Sequence, residues 1–226
     1  MPPSRLTALQ HRVLESLAGA AGGWTLTGGG ALAGFHTGHR PTRDLDLFWH
    51  GRSELGDARE EIVDRLRNDG FQVEIAQSAP AFVRLLVRSQ DEVLVVDLVA
   101  EPVPNIEPPE VIVRWGRELR VDTAQEILVN KLCALLQRSE LRDLLDVQAL
   151  LERGTDLERA IRDAPRKDGA FSPLTLVWAV RGLPIEAMAR ASGMAIDEAQ
   201  RAVAFRDELV LRMARLADPG DSAAPG

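Results

Sequence analysis

Three consecutive glycines, Gly28-Gly29-Gly30, separate two short patterned segments. Before them, Trp24-Thr25-Leu26-Thr27 reads as a strand; after them, Ala31-Leu32-Ala33-Gly34-Phe35 reads as a short apolar helix. A strand that passes through glycine directly into a helix presents backbone N–H groups where a phosphate can approach. Arg40-Pro41-Thr42 breaks the helix. Asp44-Leu45-Asp46-Leu47-Phe48-Trp49 then alternates with period two, the mark of a strand with one buried face.

The segments around this unit extend an α/β pattern. Leu6, Leu9, Val13, Leu14 and Leu17 recur at helical spacing and predict a helix over residues 5–20. A second amphipathic helix is expected over 57–69, stopped by Gly70. Strands are expected at 71–76, 82–87 and 93–99, with Ser89-Gln90-Asp91-Glu92 as a hairpin turn. A proline-rich loop (Pro102, Pro104, Pro108, Pro109) follows, then a hairpin over 111–120 around Gly116. From Thr123 the pattern turns helical, and Thr123 with Glu126 fits a capping box. Helices are expected over 124–138 and 140–153, with more within 156–216. The division is thus an α/β domain over 1–122, with a mixed sheet flanked by helices, and an all-α domain over 123–217. The Pro-, Gly-, Ala- and Ser-rich tail, 218–226, is expected to be disordered.

Composition narrows the chemistry. The 226 residues suit one large domain or two small ones, and they can bury a core without staples. One cysteine, Cys133, excludes a disulfide framework and a cysteine-rich zinc site. A net charge of -7 argues against wholesale nucleic-acid binding, although not against a local basic face. No apolar run is long enough to span a bilayer, and Met1-Pro2-Pro3-Ser4-Arg5 lacks a signal-peptide pattern, so no membrane partner is expected and the default compartment is the cytoplasm. Of 27 basic residues only Lys131 and Lys167 are lysine. A GC-rich genome accounts for the arginine total, not for where a lysine persists.

Carboxylates are the expected carriers of catalysis. Asp44 and Asp46, two apart on a strand, point to one face and repel each other unless a cation lies between them. Hard oxygen donors of this kind suit Mg²⁺, which is commonly held by one or two carboxylates and substrate phosphates. Asp97 lies within the apolar strand Val95-Val96-Asp97-Leu98-Val99, a costly place for an unpaired acid. It is a candidate third metal ligand or general base. Singly, each feature is common; the ordered combination is specific.

That combination resembles the DNA polymerase β-type nucleotidyltransferase superfamily, whose signature is a Gly-Gly or Gly-Ser pair opening a helix, an Asp-x-Asp strand, and a later carboxylate. The wording GGGALAGFHTGHRPTRDLDLF is similar, more narrowly, to the AbiEii/AbiGii-type nucleotidyltransferases, which include toxins of type IV toxin–antitoxin pairs and the mycobacterial MenT group. A second segment, EILVNKLCALLQRSELRDLLDVQALL, is similar to that family's helical motif at Lys131, Arg138, Arg142, Asp143 and Asp146. The resemblance covers roughly residues 20–155.

The resemblance implies Mg²⁺ (or Mn²⁺) at Asp44, Asp46 and Asp97, and phosphate contact at Gly28, Gly29 and Gly30. It places Thr42 in the nucleotide site, with Arg43 as a further candidate. Lys131 would neutralise the triphosphate, and Asp146, ahead of Asp143, would complete the catalytic set. It implies transfer of a nucleoside monophosphate from an NTP to a tRNA 3′ end, and a winged-helix antitoxin as partner. On one unbroken helix Lys131 and Asp146 would stand about 22 Å apart, so they meet only if the chain turns near Ser139-Glu140. Two other readings remain: a small-molecule, aminoglycoside-type nucleotidyltransferase, or an idle relative serving as a binding or regulatory module.

Other residues carry less. His36 and His39 read as polar loop residues, and with His50 they show no third metal ligand. Arg40 and Arg43 either pair with Asp44 or Asp46 or bind phosphate. Cys133 reads as a small core residue, and Trp24, Trp49, Trp115 and Trp178 as core or core edge. Arg84, Arg88, Arg114, Arg117 and Arg120 read as solvated strand positions, with a local polyanion face as the alternative.

Overall fold

The computed structural model describes residues 3–19 and 22–217. The expected tail at 218–226 and the end of the first expected helix at residue 20 lie outside them. The described chain divides into two compact units between Ile127 and Leu128.

The first unit is built on a seven-stranded mixed sheet. Its strands are β1 (Thr25–Thr27), β2 (Asp44–His50), β3 (Gln72–Ala79), β4 (Phe82–Ser89), β5 (Glu92–Glu101), β6 (Glu110–Arg114) and β7 (Arg117–Val121), in the order β3-β4-β5-β2-β1-β7-β6. The β2–β5 and β1–β7 pairs are parallel; the other neighbours run antiparallel. Both expected hairpins form, and Gln90, Trp115 and Gly116 supply the positive φ that tight two-residue turns require.

Alternation sorts the two faces. Leu45, Leu47 and Trp49 of β2, Val83, Leu85 and Val87 of β4, and Leu94, Val96 and Leu98 of β5 are buried on one face. Two helices, α1 (Ala8–Leu17) and α3 (Ala58–Asn68), pack on each other and bury Leu9, Val13, Leu14, Leu17, Ile62, Val63 and Leu66. Thr7 and Gln10 close a capping box at the start of α1. The opposite face of the strands carries Asp44, Asp46, Arg84 and Asp97. Between β1 and β2, α2 (Gly28–Ala31) continues into a π-helical turn over Leu32–His36, so the segment expected as one short helix widens midway.

The second unit is helical. It takes in most of α4 (Ala124–Arg138), then α5 (Leu141–Glu152), α6 (Leu157–Asp163), a 3₁₀ turn over Ala164–Arg166, α7 (Pro173–Arg181), α8 (Ile185–Ser192) and α9 (Ile196–Ala217). The Thr123 hydroxyl accepts the Glu126 backbone N–H at 3.0 Å, as a capping threonine should. Leu128, Val129, Leu132 and Leu135 of α4 and Leu144, Val147 and Leu150 of α5 are buried. Helix α9 packs on α5, α7 and α8. Among the described residues no helix is long and apolar enough to cross a membrane.

Trp24 and Trp49 are core residues, and Trp115 is half-buried in its hairpin turn. Trp178 departs from expectation: it is 83% exposed. Helix α7 buries Leu176, Val177 and Val180, and the 100° step per residue turns Trp178 and Leu174, four residues earlier, to the outer side.

Candidate active site

The carboxylates lie in one transverse row of the sheet. Parallel pairing sets Asp46 of β2 beside Asp97 of β5; antiparallel pairing sets Thr27 of β1 beside Asp46 on the other side. Arg84 of β4 stands opposite Asp97. The row therefore reads Thr27, Asp46, Asp97, Arg84, with Asp44 one pleat along β2 on the same face. Asp44 and Asp46 are half-buried and Asp97 is buried.

The glycine turn lies against these acids. Gly28 has φ +59°, and a Cβ there would stand 2.5 Å from the Asp46 Oδ2. A Cβ on Gly29 would stand 2.6 Å from the Thr42 Oγ1. The Thr42 hydroxyl is buried and donates to the Asp44 Oδ1 at 2.7 Å, while Gln10 Nε2 donates to the Thr42 carbonyl at 3.1 Å. The turn thus lies too close to the Asp46 carboxylate and the Thr42 side chain to admit a Cβ at either glycine. Gly30 faces the core instead, where a Cβ would press on Leu26 and Leu45. Arg43 is exposed at the entry to β2.

A Gly29→Ala substitution should force Thr42 to move and break its hydrogen bond to Asp44. The expected cost is about 1–3 kcal/mol in urea unfolding. Adding Thr42→Ala should restore part of that stability without restoring the Asp44 contact.

The arginine read as a solvated strand position is part of this site. Arg84 donates from Nε to Asp97 Oδ1 at 2.8 Å and from Nη2 to Oδ2 at 2.7 Å, a two-pronged clamp on a nearly dry carboxylate. Its pKa is raised by the hydrogen bond to Asp97, then by the charge of Asp97, with Asp44 and Asp46 adding to it. Its signal was present in the sequence: counting back from the Ser89–Glu92 hairpin pairs Arg84 with Asp97. Arg88 reaches Glu74 at 3.6 Å and takes no part.

Asp44 and Asp46 offer the hard, paired oxygens that Mg²⁺ or Mn²⁺ takes. Among the described residues no group of three His, Cys, Asp or Glu side chains is arranged to hold a metal. Arg84 occupies both oxygens of Asp97. The donor set fits a cation that reaches two carboxylates and completes its shell with substrate phosphate.

The histidines serve Asp122 and the loop. His36 Nε2 donates to the Asp122 carbonyl at 2.7 Å, His50 Nε2 lies 3.5 Å from the Asp122 Oδ2, and His39 Nδ1 bonds the Thr37 hydroxyl at 2.6 Å.

The second unit holds a buried ionic cluster. Helix α4 ends at Arg138, Ser139 takes φ +50°, and α5 begins at Leu141. That turn closes the distance a straight helix would impose. Lys131 Nζ lies 2.8 Å from Asp143 Oδ1 and 2.7 Å from Asp146 Oδ2. Arg138 donates to both oxygens of Asp143, at 2.7 and 2.9 Å. Asp143 and Asp146 are fully buried, and Lys131 nearly so. Arg142 is drawn off to Glu140 at 2.5 Å. Cys133 is buried on the same helix, and burial, then the Asp168 charge, push its thiol up to about 12, which leaves it a packing residue.

Burial pushes the Asp143 carboxyl up, but the Arg138 hydrogen bond and then the Lys131 charge outweigh it and hold it below its ordinary 3.8. A carboxyl depressed on folding contributes stability that is present above its unfolded value and lost as pH falls through its folded one. The melting temperature should therefore hold above about pH 5 and fall below it. Asp143→Asn should be less stable at pH 7 and lose less on acidification.

Comparison with known proteins gives the chain a family and a fold. The sequence matches the family model described as nucleotidyl transferase AbiEii toxin, type IV TA system, over residues 12–216. No curated protein matches it significantly. Of solved structures, JHP933 from Helicobacter pylori is similar at 18% identity and a TM-score of 0.56, covering 95% of this chain and 97% of that one. MenT4, a nucleotidyltransferase toxin from Mycobacterium tuberculosis H37Rv, is similar at 19% identity and a TM-score of 0.54, covering 92% of each. At such identities the structures speak for a shared fold. The family model spans both the carboxylate row and the Lys131 cluster, and the chain therefore belongs to the AbiEii family of nucleotidyltransferase toxins of type IV toxin–antitoxin systems, and is a nucleotidyltransferase.

Proposed function

We propose that the chain transfers a nucleoside monophosphate from an NTP to the 3′ end of tRNA, with Asp44 and Asp46 as the metal-holding pair. The observation that carries the nucleotide and metal part of this reading is the fit of bare glycine backbone at the acids, Gly28 against Asp46 and Gly29 against the Thr42 hydroxyl that bonds Asp44; the tRNA acceptor rests on the family resemblance. A triphosphate laid along that turn would meet backbone N–H groups beside the two carboxylates that would hold the cation.

In this reading Gly28 and Gly29 line the phosphate path, and Gly30 serves close packing. Thr42 fixes the Asp44 carboxylate, and Arg43 is placed to meet phosphate oxygens. Bound Mg²⁺ or Mn²⁺ would supply positive charge to the crowded phosphorus and the leaving pyrophosphate. The acceptor oxygen forms a bond to the α-phosphorus, the bond from that phosphorus to the β-bridging oxygen breaks, and the acceptor proton passes to Asp97. The family resemblance assigns Lys131 to the charge of the triphosphate and Asp146, ahead of Asp143, to the catalytic set. A winged-helix antitoxin is the partner this reading expects.

The test is label transfer. The protein is incubated with Mg²⁺, each α-labelled NTP in turn, and total tRNA. Label entering tRNA from one nucleotide supports the reading and identifies the donor. No label with any NTP overturns the tRNA assignment, and aminoglycoside acceptors then come next.

A further inference from the structure

Arg84 is an odd neighbour for a metal-binding row. A cation site is strengthened by each carboxylate it can reach, yet here a guanidinium covers both oxygens of the most buried one. The pairing is built into the sheet, since Arg84 and Asp97 are direct partners across the β4–β5 hairpin. The guanidinium carbon also sits 5.6 Å from the centroid of the Phe82 ring, two residues earlier on the same face. The arginine side chain is 45% exposed, whereas Asp97 is 9% exposed. The carboxylate is fixed, and the arginine has room to leave.

Three carboxylates without Arg84 would attract a divalent cation whether or not nucleotide is present. With one of them neutralised, two remain, so the rest of the shell falls to water, weakly held, until phosphate oxygens of an incoming triphosphate replace part of it. The triphosphate is also the partner best able to draw the guanidinium away, because its oxygens match the same two-pronged donor geometry.

Resting on the nucleotidyltransferase reading above, we propose that Arg84 is a positioning residue that holds Asp97 away from the cation until nucleotide arrives, so that metal binding is coupled to NTP binding. Exchange of Arg84 from Asp97 to phosphate then frees the Asp97 carboxylate to accept the acceptor proton. No covalent bond changes in this exchange; one ion pair replaces another.

The experiment is a Mn²⁺ titration of the full chain without nucleotide, followed by calorimetry, and repeated with a non-hydrolysable NTP. Wild type should bind Mn²⁺ weakly alone and more tightly with the analogue. Arg84→Gln should bind Mn²⁺ alone on the order of tenfold more tightly, because a positive charge has been removed from the row. Arg84→Lys keeps the charge and loses the two-pronged contact, so it should fall between the two; it also carries the test if the glutamine variant does not fold. A simply structural arginine would give equal or weaker binding in both variants, and that result overturns the proposal while leaving the transfer reaction intact. Absence of Mn²⁺ binding in every protein, with and without the analogue, overturns the metal-dependent reading itself.

Discussion

The Asp44→Ala/Asp46→Ala double variant should lose nucleotide transfer by roughly three orders of magnitude or more while staying folded. Both parts follow from the same geometry. The two carboxylates share one face of β2 with Asp97 of β5 beside Asp46, and Arg84 is committed to Asp97. Like charges so arranged cost stability in the absence of a cation. Removing two of them relieves that repulsion and forfeits the Thr42–Asp44 hydrogen bond, a net change within about 1 kcal/mol. The catalytic loss has no such compensation. In the proposed reading, charge that develops on the transferring phosphoryl group would be stabilised by cations held at the two aspartates, and such electrostatic terms dominate phosphoryl transfer. Label transfer to tRNA and a thermal melt on the same preparation check both parts. Activity within tenfold of wild type would remove Asp44 and Asp46 from the metal-holding role.

The sequence made the local half of this site legible and left the non-local half dark. Period two in Asp44–Trp49 places both acids on the face opposite Leu45, Leu47 and Trp49, as found. The glycines predict a tight strand-to-helix turn, and Gly28 takes the positive φ such a turn needs. That Asp97 lies beside Asp46 depends on β5 inserting between β4 and β2 and running parallel to β2, a long-range choice that no local pattern encodes. Arg84 was within reach by hairpin register, but an arginine on an alternating strand looks the same whether water or a carboxylate faces it. Trp178 shows the opposite limit: a large aromatic implies burial, and only the phase of α7 turns it outward. The sharp turn after α4 is carried by Ser139 at positive φ, where no glycine announces it.

Lys131→Met should destabilise the protein by about 3–5 kcal/mol, the largest stability effect expected of a single substitution here. Its ammonium group lies within ion-pair distance of two fully buried carboxylates, and removing it leaves their charge under-compensated in a dry setting. The same loss should shrink when the acids are neutralised with it: Lys131→Met/Asp143→Asn/Asp146→Asn should recover more than half of the difference in urea unfolding. That non-additivity separates two roles that a single substitution confounds. Lys131, Arg138, Asp143 and Asp146 together are charge-balanced, so a lysine acting on a triphosphate has to give up part of its hold on a carboxylate. If Lys131 works only as a structural ion, the triple variant should regain transfer along with stability. If the Lys131–Asp143–Asp146 cluster also serves transfer, the triple variant should be folded and inactive, and the expected result is the second.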